Sequence, residues 1–102
     1  MVIRGFIKAV GQTREWPDKN GEKQQSVKLT LSVPIVTRDG QESEDVLLAE
    51  MRLPSQSKEF LEGLQKACEA HEKCEMHLGF FLSEWNGKQI QNIKLFSLTK
   101  MI

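Results

Sequence analysis

The sequence predicts a mainly β protein, a five-stranded barrel with one α-helix between the third and fourth strands. Glycine turns at Asn20-Gly21, Asp39-Gly40 and Asn86-Gly87 separate runs in which apolar and polar residues alternate with the period of a strand. One stretch between residues 55 and 71 has its apolar residues at helical spacing instead. At 102 residues, the chain is expected to form a single domain, residues 1–102.

The first predicted strand covers Met1 to Val10. Its inner face carries small or apolar residues: Ile3, Gly5, Ile7 and Ala9. Its outer face carries Val2, Arg4, Phe6, Lys8 and Val10. Cations therefore share the outer side of this strand with an aromatic ring.

The second strand is predicted from Gln25 to Pro34, after the polar, turn-rich segment Gly11 to Gln24. A two-residue turn at Asn20-Gly21 would bring the inner faces of the first two strands into conflict. The hairpin therefore requires a bulge or a longer loop, and Gly11 is the predicted bulge. A strongly bent first strand suits a small closed barrel.

The segment Gln41 to Asp45 is acidic and is expected to be a solvated connector. The third strand is predicted over Val46 to Leu53, and a tight turn would pair Val46 with Val33 and Leu48 with Leu31.

Pro54 ends the third strand, and Ser55 or Ser57 can cap the helix that follows. Residues recurring at helical spacing form its inner face: Phe60, Leu61, Leu64, Ala67, Cys68 and His71.

The last hairpin, Met76 to Leu98, is predicted around a type I′ turn at Asn86-Gly87. The expected pairs are Trp85–Lys88, Ser83–Ile90, Phe81–Asn92, Phe80–Ile93, Gly79–Lys94, Leu78–Leu95 and His77–Phe96. One face would then belong to the core, with Leu78, Phe80, Leu82, Ile93 and Leu95. The other face carries Trp85, Lys88, Phe81, Asn92, Lys94, His77 and Phe96.

Exposed rings interleaved with lysines suit a nucleic acid strand, because bases stack on rings while ammonium groups neutralise phosphates. An alternative is that Phe81 and Phe96 belong to a second small core or a dimer interface. Trp16 could likewise fold over the barrel mouth instead of stacking a base.

The net charge is zero, but its distribution is uneven. Residues 1–40 contain seven Lys/Arg and four Asp/Glu, residues 41–76 four and nine, and residues 77–102 three and one. The positive segments are the two hairpins that contain tryptophan, so moderate, salt-sensitive binding of a polyanion is expected.

Three strands, a helix and a closing hairpin form the order of the OB-fold, whose barrel binds oligonucleotides through strands 2 and 3 and the loops between strands 1 and 2 and between strands 4 and 5. Both loops contain tryptophan here. The segments IRGFIKAVGQTREWPDKNGEK, SVKLTLSV, KEFLEGLQKACEAHEK and FFLSEWNGKQIQNIKLFSL resemble, in order and spacing, those of bacterial single-stranded DNA-binding proteins. In that family a tryptophan-and-lysine hairpin grips the strand, and Trp85 and Lys88 match it.

The resemblance implies a sequence-independent single-stranded DNA-binding protein that coats unpaired strands during replication. The chain stops at residue 102, without the acidic tail of bacterial replicative members. This favours the helix-destabilising type of filamentous bacteriophages and a homodimer or higher homo-oligomer. The alternatives are a protein-interaction module of primosomal or adaptor type and a single-stranded RNA binder.

The predicted nucleic-acid-binding residues come from both tryptophan hairpins and the strands beside them. They are Arg4, Phe6, Lys8, Arg14, Trp16, Lys19, Lys23, Lys28, Phe81, Trp85, Lys88, Asn92, Lys94 and Phe96.

Other chemistries are less well supported by the sequence. Cys68, His71, Cys74 and His77 recur every three residues, but four ligands so close together do not readily surround a tetrahedral zinc ion. We find no phosphate-binding glycine loop and no cluster of catalytic carboxylates. We therefore expect no enzyme activity, cofactor, metal, membrane or small-molecule substrate, and a cytoplasmic location in a bacterial host cell.

Overall fold

A computed structural model of the chain describes residues 1–55 and 57–101. Its elements are β1 (Val2–Pro17), β2 (Lys23–Val36), β3 (Glu42–Arg52), α1 (Ser57–Glu69), β4 (Cys74–Trp85) and β5 (Lys88–Lys100). The strands close into a barrel in the order β1-β2-β3-β5-β4. Neighbouring strands are antiparallel except β3 and β5, which run parallel. The predicted barrel, with one helix between the third and fourth strands, is confirmed.

The barrel interior is filled by aliphatic side chains from all five strands, as the alternation predicts. Leu29 and Leu31 of β2 and Met76 of β4 are fully buried. Helix α1 contributes Leu64 and Ala67 to the same core. Phe60, Leu61 and Cys68 pack against it from the helix while remaining half-buried. Removal of this apolar surface from water is the main force that closes the barrel.

Strand β1 is longer than predicted. It continues to Pro17, so the predicted end at Val10 is wrong. The register with β2 shifts between Val10 and Thr13, which confirms a bulge at Gly11. A Cβ on Gly11 would lie 2.8 Å from the carbonyl oxygen of Lys28, so only glycine fits this approach.

A second bulge in β1 was not predicted. The register with β2 also shifts between Ile7 and Ala9. The extra residue reverses the alternation, so Ala9 is exposed and not on the inner face, while Val10 is half-buried against the core.

The three glycine turns differ from one another. Asn86 and Gly87 both have positive φ, at 52° and 76°, which confirms the type I′ turn. Asn20-Gly21 does not form a two-residue turn: Pro17 pairs with Lys23, which leaves a five-residue loop and confirms the expectation of a bulge or a longer loop. The longer loop and the bulge together resolve the conflict between the inner faces.

A carboxylate holds this five-residue loop in shape. One oxygen of Asp18 accepts hydrogen bonds from the backbone N–H groups of Asn20 and Glu22, at 2.8 and 2.9 Å. The hydrogen bond from Glu22 is the main cause that lowers the pKa of the Asp18 carboxyl. The loop that carries Lys19 therefore has a defined conformation.

The acidic segment before the third strand is not a connector. Strand β3 begins at Glu42, so Glu42 to Asp45 belong to the strand, although their side chains are exposed. Val33 pairs with Asp45 and Leu31 with Leu47, one residue away from the predicted register. Five residues, not a tight turn, connect β2 to β3, which shifts the pairing.

The β2–β3 and β4–β5 hairpins extend beyond the barrel as two arms. Strand β4 pairs with β1 only over Cys74 to His77, and beyond Leu78 it pairs only with β5. We call residues 79–93 the β4–β5 arm. Strand β2 likewise pairs only with β3 from Val33 onward. The molecule is accordingly elongated and flat, 52 × 39 × 20 Å.

The register of the β4–β5 arm is largely as predicted, but its burial is not. Every predicted pair from Trp85–Lys88 to Leu78–Leu95 is present. The last pair is wrong: a bulge places His77 opposite Ser97 and not opposite Phe96. Phe80 and Leu82, expected in the core, are 47% and 62% exposed because the arm has left the barrel.

The helix ends before His71, which was predicted on its inner face. His71 has φ of 53°, the left-handed conformation of a residue that follows a helix. Its N–H donates to the carbonyl of Cys68, and that of Glu72 donates to the carbonyl of Ala67. The imidazole is exposed and stacks on Phe6 with ring centroids 4.2 Å apart.

Candidate nucleic-acid interface

A groove of about 440 Å³ crosses the outer surface of the barrel between the end of β1 and the middle of β5. Strand register explains why it forms there. Arg14 of β1 and Arg52 of β3 both pair with Ser26 of β2, so their side chains lie on the same side of the sheet. Its lining residues come from four strands: Arg14, Trp16, Ser26, Glu50, Arg52, Lys94, Leu95 and Phe96. Four predicted site residues therefore meet here: Arg14, Trp16, Lys94 and Phe96.

Trp16 forms one end of the groove with two guanidinium groups over its ring. The Arg14 guanidinium carbon lies 4.8 Å from the ring centroid, and that of Arg52 lies 5.6 Å away. Cations at these distances are attracted to the ring electrons. Trp16 is half-buried. The arginines orient its indole ring without covering it completely.

Lys94 and Phe96 form the other end of the groove, and Phe81 lies beside them. The two phenylalanine rings meet edge to face, with centroids 6.1 Å apart, and the Lys94 ammonium lies 5.1 Å from the Phe81 centroid. Gly79 makes room for them, since a Cβ there would lie 2.5 Å from the Phe96 ring. Phe81 and Phe96 are 43% and 61% exposed. Their geometry presents aromatic surface and positive charge together.

Glu50 joins the two ends. Its carboxylate accepts a hydrogen bond from the Arg14 guanidinium at 2.9 Å, and its backbone pairs with that of Lys94. The outer face from Trp16 to Phe81 is thus one connected surface of rings and cations. We call this connected set the ring–cation face: Arg14, Trp16, Glu50, Arg52, Phe81, Lys94 and Phe96.

The β4–β5 arm continues this face away from the barrel. Trp85 at its tip is 67% exposed and pairs with Lys88. Its position in the strand alternation puts it on the same side as Phe81. Asn92, opposite Phe81, donates through Nδ2 to the Ser83 hydroxyl at 2.7 Å. The arm therefore adds a second aromatic position and a polar amide to the surface.

Lys28 lies in a smaller groove beside the first one. This groove has a volume of about 190 Å³, and Glu50 lines both. Leu48, which is 70% exposed, and Asn92 also line it. The structure brings Lys28 to the space between the two hairpins, next to the ring–cation face.

Several predicted cations are held by carboxylates. Arg4 lies 3.7 Å from Glu75, and Lys23 lies 2.9 Å from Glu15. Lys8 forms an ion pair with Glu44, which also accepts a hydrogen bond from Ser32. These hydrogen bonds lower the pKa of the Glu44 carboxyl, with the Lys8 bond the larger cause. Exposed pairs of this kind are weak, so they do not prevent exchange for a phosphate.

Two further predicted residues lie apart from the groove. Phe6 is half-buried and has one ring face covered by His71. Lys19 is exposed in the loop between β1 and β2. Their roles remain predictions, as do those of the other residues in the predicted set.

The groove contains residues that sequence reasoning missed, namely Ser26, Glu50 and Arg52. Ser26 is 2% exposed and forms part of the floor. The alternation of β3 carried the signal, since Arg52, Glu50 and Leu48 occupy its outer positions opposite Ser26, Lys28 and Thr30. An acidic and an apolar residue on that face obscured the pattern.

The cysteines and the described helix give no separate site. Within residues 1–55 and 57–101, no three His, Cys, Asp or Glu side chains are grouped so that they could hold a metal ion. Cys74 is buried, and burial raises the pKa of its thiol. In that same part of the chain, no helix is long and apolar enough to cross a membrane.

Comparison with known proteins identifies the fold. No protein-family model matches the sequence, and no curated protein matches it. A deletion mutant of the single-stranded DNA-binding protein from Thermus aquaticus is similar in structure, with a TM-score of 0.50 and 16% identity over 99% of this chain and 49% of that one.

Two other solved structures are similar at lower scores. A small single-stranded DNA-binding protein from Streptomyces coelicolor has a TM-score of 0.48 and 8% identity over 100% of this chain and 93% of that one. A Plasmodium falciparum SSB complex with ssDNA has a TM-score of 0.45 and 13% identity over 100% and 93%.

The strand order and the position of the helix define an OB-fold protein. The resemblance to single-stranded DNA-binding proteins, seen first in the sequence, is confirmed at the level of the fold.

Proposed function

We propose that this OB-fold protein binds single-stranded DNA without sequence preference and coats unpaired strands. The observation that carries the proposal is the ring–cation face, in which both aromatic ends bear cations and are joined through Glu50. Flat rings stack any base, and cations neutralise the phosphates between bases. A surface with these two features suits an unpaired strand better than a duplex, whose bases are already stacked.

The chemistry is binding alone. Trp16, Phe81, Phe96 and Trp85 would each stack a base, a contact worth on the order of 1 to 3 kcal/mol. Lys28, Lys88 and Lys94 would contact phosphates and so fix the position of the strand without reading its sequence. Preferential binding of the unpaired form would melt duplex DNA by mass action. No bond is made or broken in this role, which is not that of an enzyme.

The proposed setting is DNA replication of a phage or plasmid in the cytoplasm of a bacterial host. The protein would act there as a homodimer or a higher homo-oligomer of single-domain subunits. The exposed Phe80 and Leu82 on the opposite side of the β4–β5 arm support an association between subunits, because large apolar side chains clustered on a surface favour contact with another protein.

Titration with oligo(dT) tests the proposal directly. Both tryptophans lie on the proposed surface, so stacking should quench their fluorescence at low salt, and added salt should reverse the quenching. Oligo(U) and duplex DNA of the same length serve as comparisons. Light scattering on the same samples gives the number of subunits and the stoichiometry of the complex.

The result separates this function from two alternatives. Equal or tighter binding of oligo(U) would favour a single-stranded RNA binder. An absence of quenching with either oligonucleotide at low salt would contradict nucleic acid binding and favour a protein-interaction module, in which Phe81, Phe96 and Trp85 contact a polypeptide. The exposure of apolar side chains on both sides of the arm is the observation that favours that module.

A further inference from the structure

Glu50 is out of place on a surface that binds phosphates. It is the carboxylate in a groove lined by two arginines, a lysine and two aromatic rings. A carboxylate there repels the DNA backbone, which lowers affinity for every sequence equally. Its side chain is 29% exposed, so it lies partly inside the groove. An unfavourable charge at the centre of the site points to a role in recognising something other than phosphate.

The groove is large enough to take one base. Its volume of about 440 Å³ lies in the range of small-molecule sites. Trp16 lies at one end and Phe96 at the other, and both offer a ring face or edge to a planar guest. Glu50 and the buried Ser26 line the space between these rings. A stacked base would therefore present its polar edge to the Glu50 carboxylate.

The carboxylate also has acceptor capacity left. Its Oε1 accepts from Arg14 at 2.9 Å. Its Oε2 accepts no hydrogen bond from any of the described residues. An ionised carboxylate has about four acceptor positions on two oxygens, so one bond from Arg14 leaves room for two adjacent donors. Arg14 and the pairing of Glu50 with Lys94 fix the orientation in which those donors would be met.

We propose that Glu50 makes this groove selective for guanine, whose Watson–Crick edge carries two adjacent donors, the N1–H and the N2 amino group. This inference rests on the proposed function, since it adds a base preference at one position of an otherwise tolerant surface. Cytosine and adenine offer one amino group each to a carboxylate. Thymine offers one N–H, which lies between two carbonyl oxygens. The carboxylate repels both of these oxygens. Thymine is therefore the base that fits this pocket worst.

The test uses three oligonucleotides that differ only in two central bases. Each is a dT tract of about 15 nucleotides, within the site size of one or two OB folds. The two central bases are both thymine, both guanine or both hypoxanthine, which is guanine without the N2 amino group. Because guanine and hypoxanthine stack alike, their ratio of affinities isolates that amino group. The wild-type protein should bind the guanine tract roughly fivefold more tightly than the hypoxanthine tract.

Two variants test whether the preference for guanine depends on Glu50. Glu50→Ala should bind the thymine tract more tightly, because a negative charge is gone, and its guanine-to-hypoxanthine ratio should fall to about one. Glu84→Ala is the matched control: it removes an exposed carboxylate from the arm, outside the groove, and should keep the wild-type ratio. If Glu50→Ala does not fold, the isosteric Glu50→Gln should still reduce the ratio.

The outcomes distinguish this inference from the proposed function. Equal binding of all three tracts by the wild type, or a guanine preference that persists in Glu50→Ala, overturns the role of Glu50 and leaves DNA binding standing. Failure of the wild type to bind any tract at low salt overturns both. A preference present in the wild type, absent in Glu50→Ala and kept in Glu84→Ala supports the assignment.

Discussion

Gly79→Ala should disrupt the aromatic end of the ring–cation face without removing any functional group. The added Cβ would lie 2.5 and 2.7 Å from two atoms of the Phe96 ring and 2.8 Å from one atom of Phe81. Ordinary contacts begin near 3.4 Å, so the rings must move away from the new methyl group by up to about 0.9 Å. The edge-to-face pair, worth about 0.5 to 1.5 kcal/mol, would be weakened or lost.

The expected effects on stability and binding differ in size. Alanine in place of glycine in a strand recovers about 0.5 to 1 kcal/mol of conformational entropy, which offsets the weakened ring pair. The free energy of unfolding should therefore change by less than about 1 kcal/mol. Two misplaced rings should cost about 1 to 2 kcal/mol of base stacking, which is roughly a five- to thirtyfold loss of affinity for oligo(dT).

Fluorescence titration and urea unfolding measure the two effects separately. Gly63→Ala is the control, because it adds the same methyl group to the exposed side of helix α1, where nothing lies within 4 Å of the new Cβ. This variant should bind like the wild type. A folded Gly79→Ala protein that binds oligo(dT) within about twofold of the wild type would refute the role of the Phe81–Phe96 pair in stacking.

Three further predictions concern the arm, the first loop and the barrel interior. Trp85→Ala should weaken oligo(dT) binding by about 1 to 3 kcal/mol and leave the melting temperature nearly unchanged, because the ring is 67% exposed; a large fall in Tm would place it in the core. The pKa of Asp18 is lowered in the folded protein from its ordinary value of 3.8, so its contribution to loop stability is complete above that pH and is lost as pH falls through the lowered value. The amide NMR shifts of the loop should change with pH as Asp18 titrates, and this change should be absent in Asp18→Asn. The same pH-dependent change in the variant would contradict the assignment to Asp18. Gly5→Ala should destabilise the barrel by about 1 to 3 kcal/mol or more, since its Cβ would meet the Ser32 carbonyl oxygen within the barrel wall; a urea midpoint equal to that of the wild type would show that the strands can move apart.

The order of the elements could be predicted because each has a strong local signal. Asn86-Gly87 favours only one turn type, and that turn determines the arm register as far as the bulge beside His77. Helical spacing identified α1 in the same way, through Leu64 and Ala67. Neither signal depends on what the element packs against.

Burial along the arm could not be predicted, since alternation indicates two faces but not where a barrel ends. Phe80 and Leu82 have the composition of a core face, yet the sheet beside them contains no further strand to cover them. The bulge between Ile7 and Ala9 is equally hidden, because no glycine marks it.

Only some residues of the candidate site could be predicted from the sequence, for a related reason. Trp16, Phe81 and Lys94 stood out by residue type, and the structure brings all three to one surface. Glu50 and Arg52 lay in a segment with net negative charge, which obscured their outer positions in the alternation of β3. Their place depends on the pairing of β3 with both β2 and β5, which is a property of the closed barrel.

If the protein binds DNA as proposed, the ion pairs around the barrel determine how many counterions that binding can release. Four of the eight predicted phosphate contacts, Arg4, Lys8, Arg14 and Lys23, already have a carboxylate partner. When such a cation moves to a phosphate, the carboxylate left behind takes up a cation from solution, and the net release falls. The logarithm of affinity should therefore decrease with the logarithm of salt concentration with a slope of about −3, as for the four lysines that have no carboxylate partner among the described residues, and not about −6, as for all eight cations.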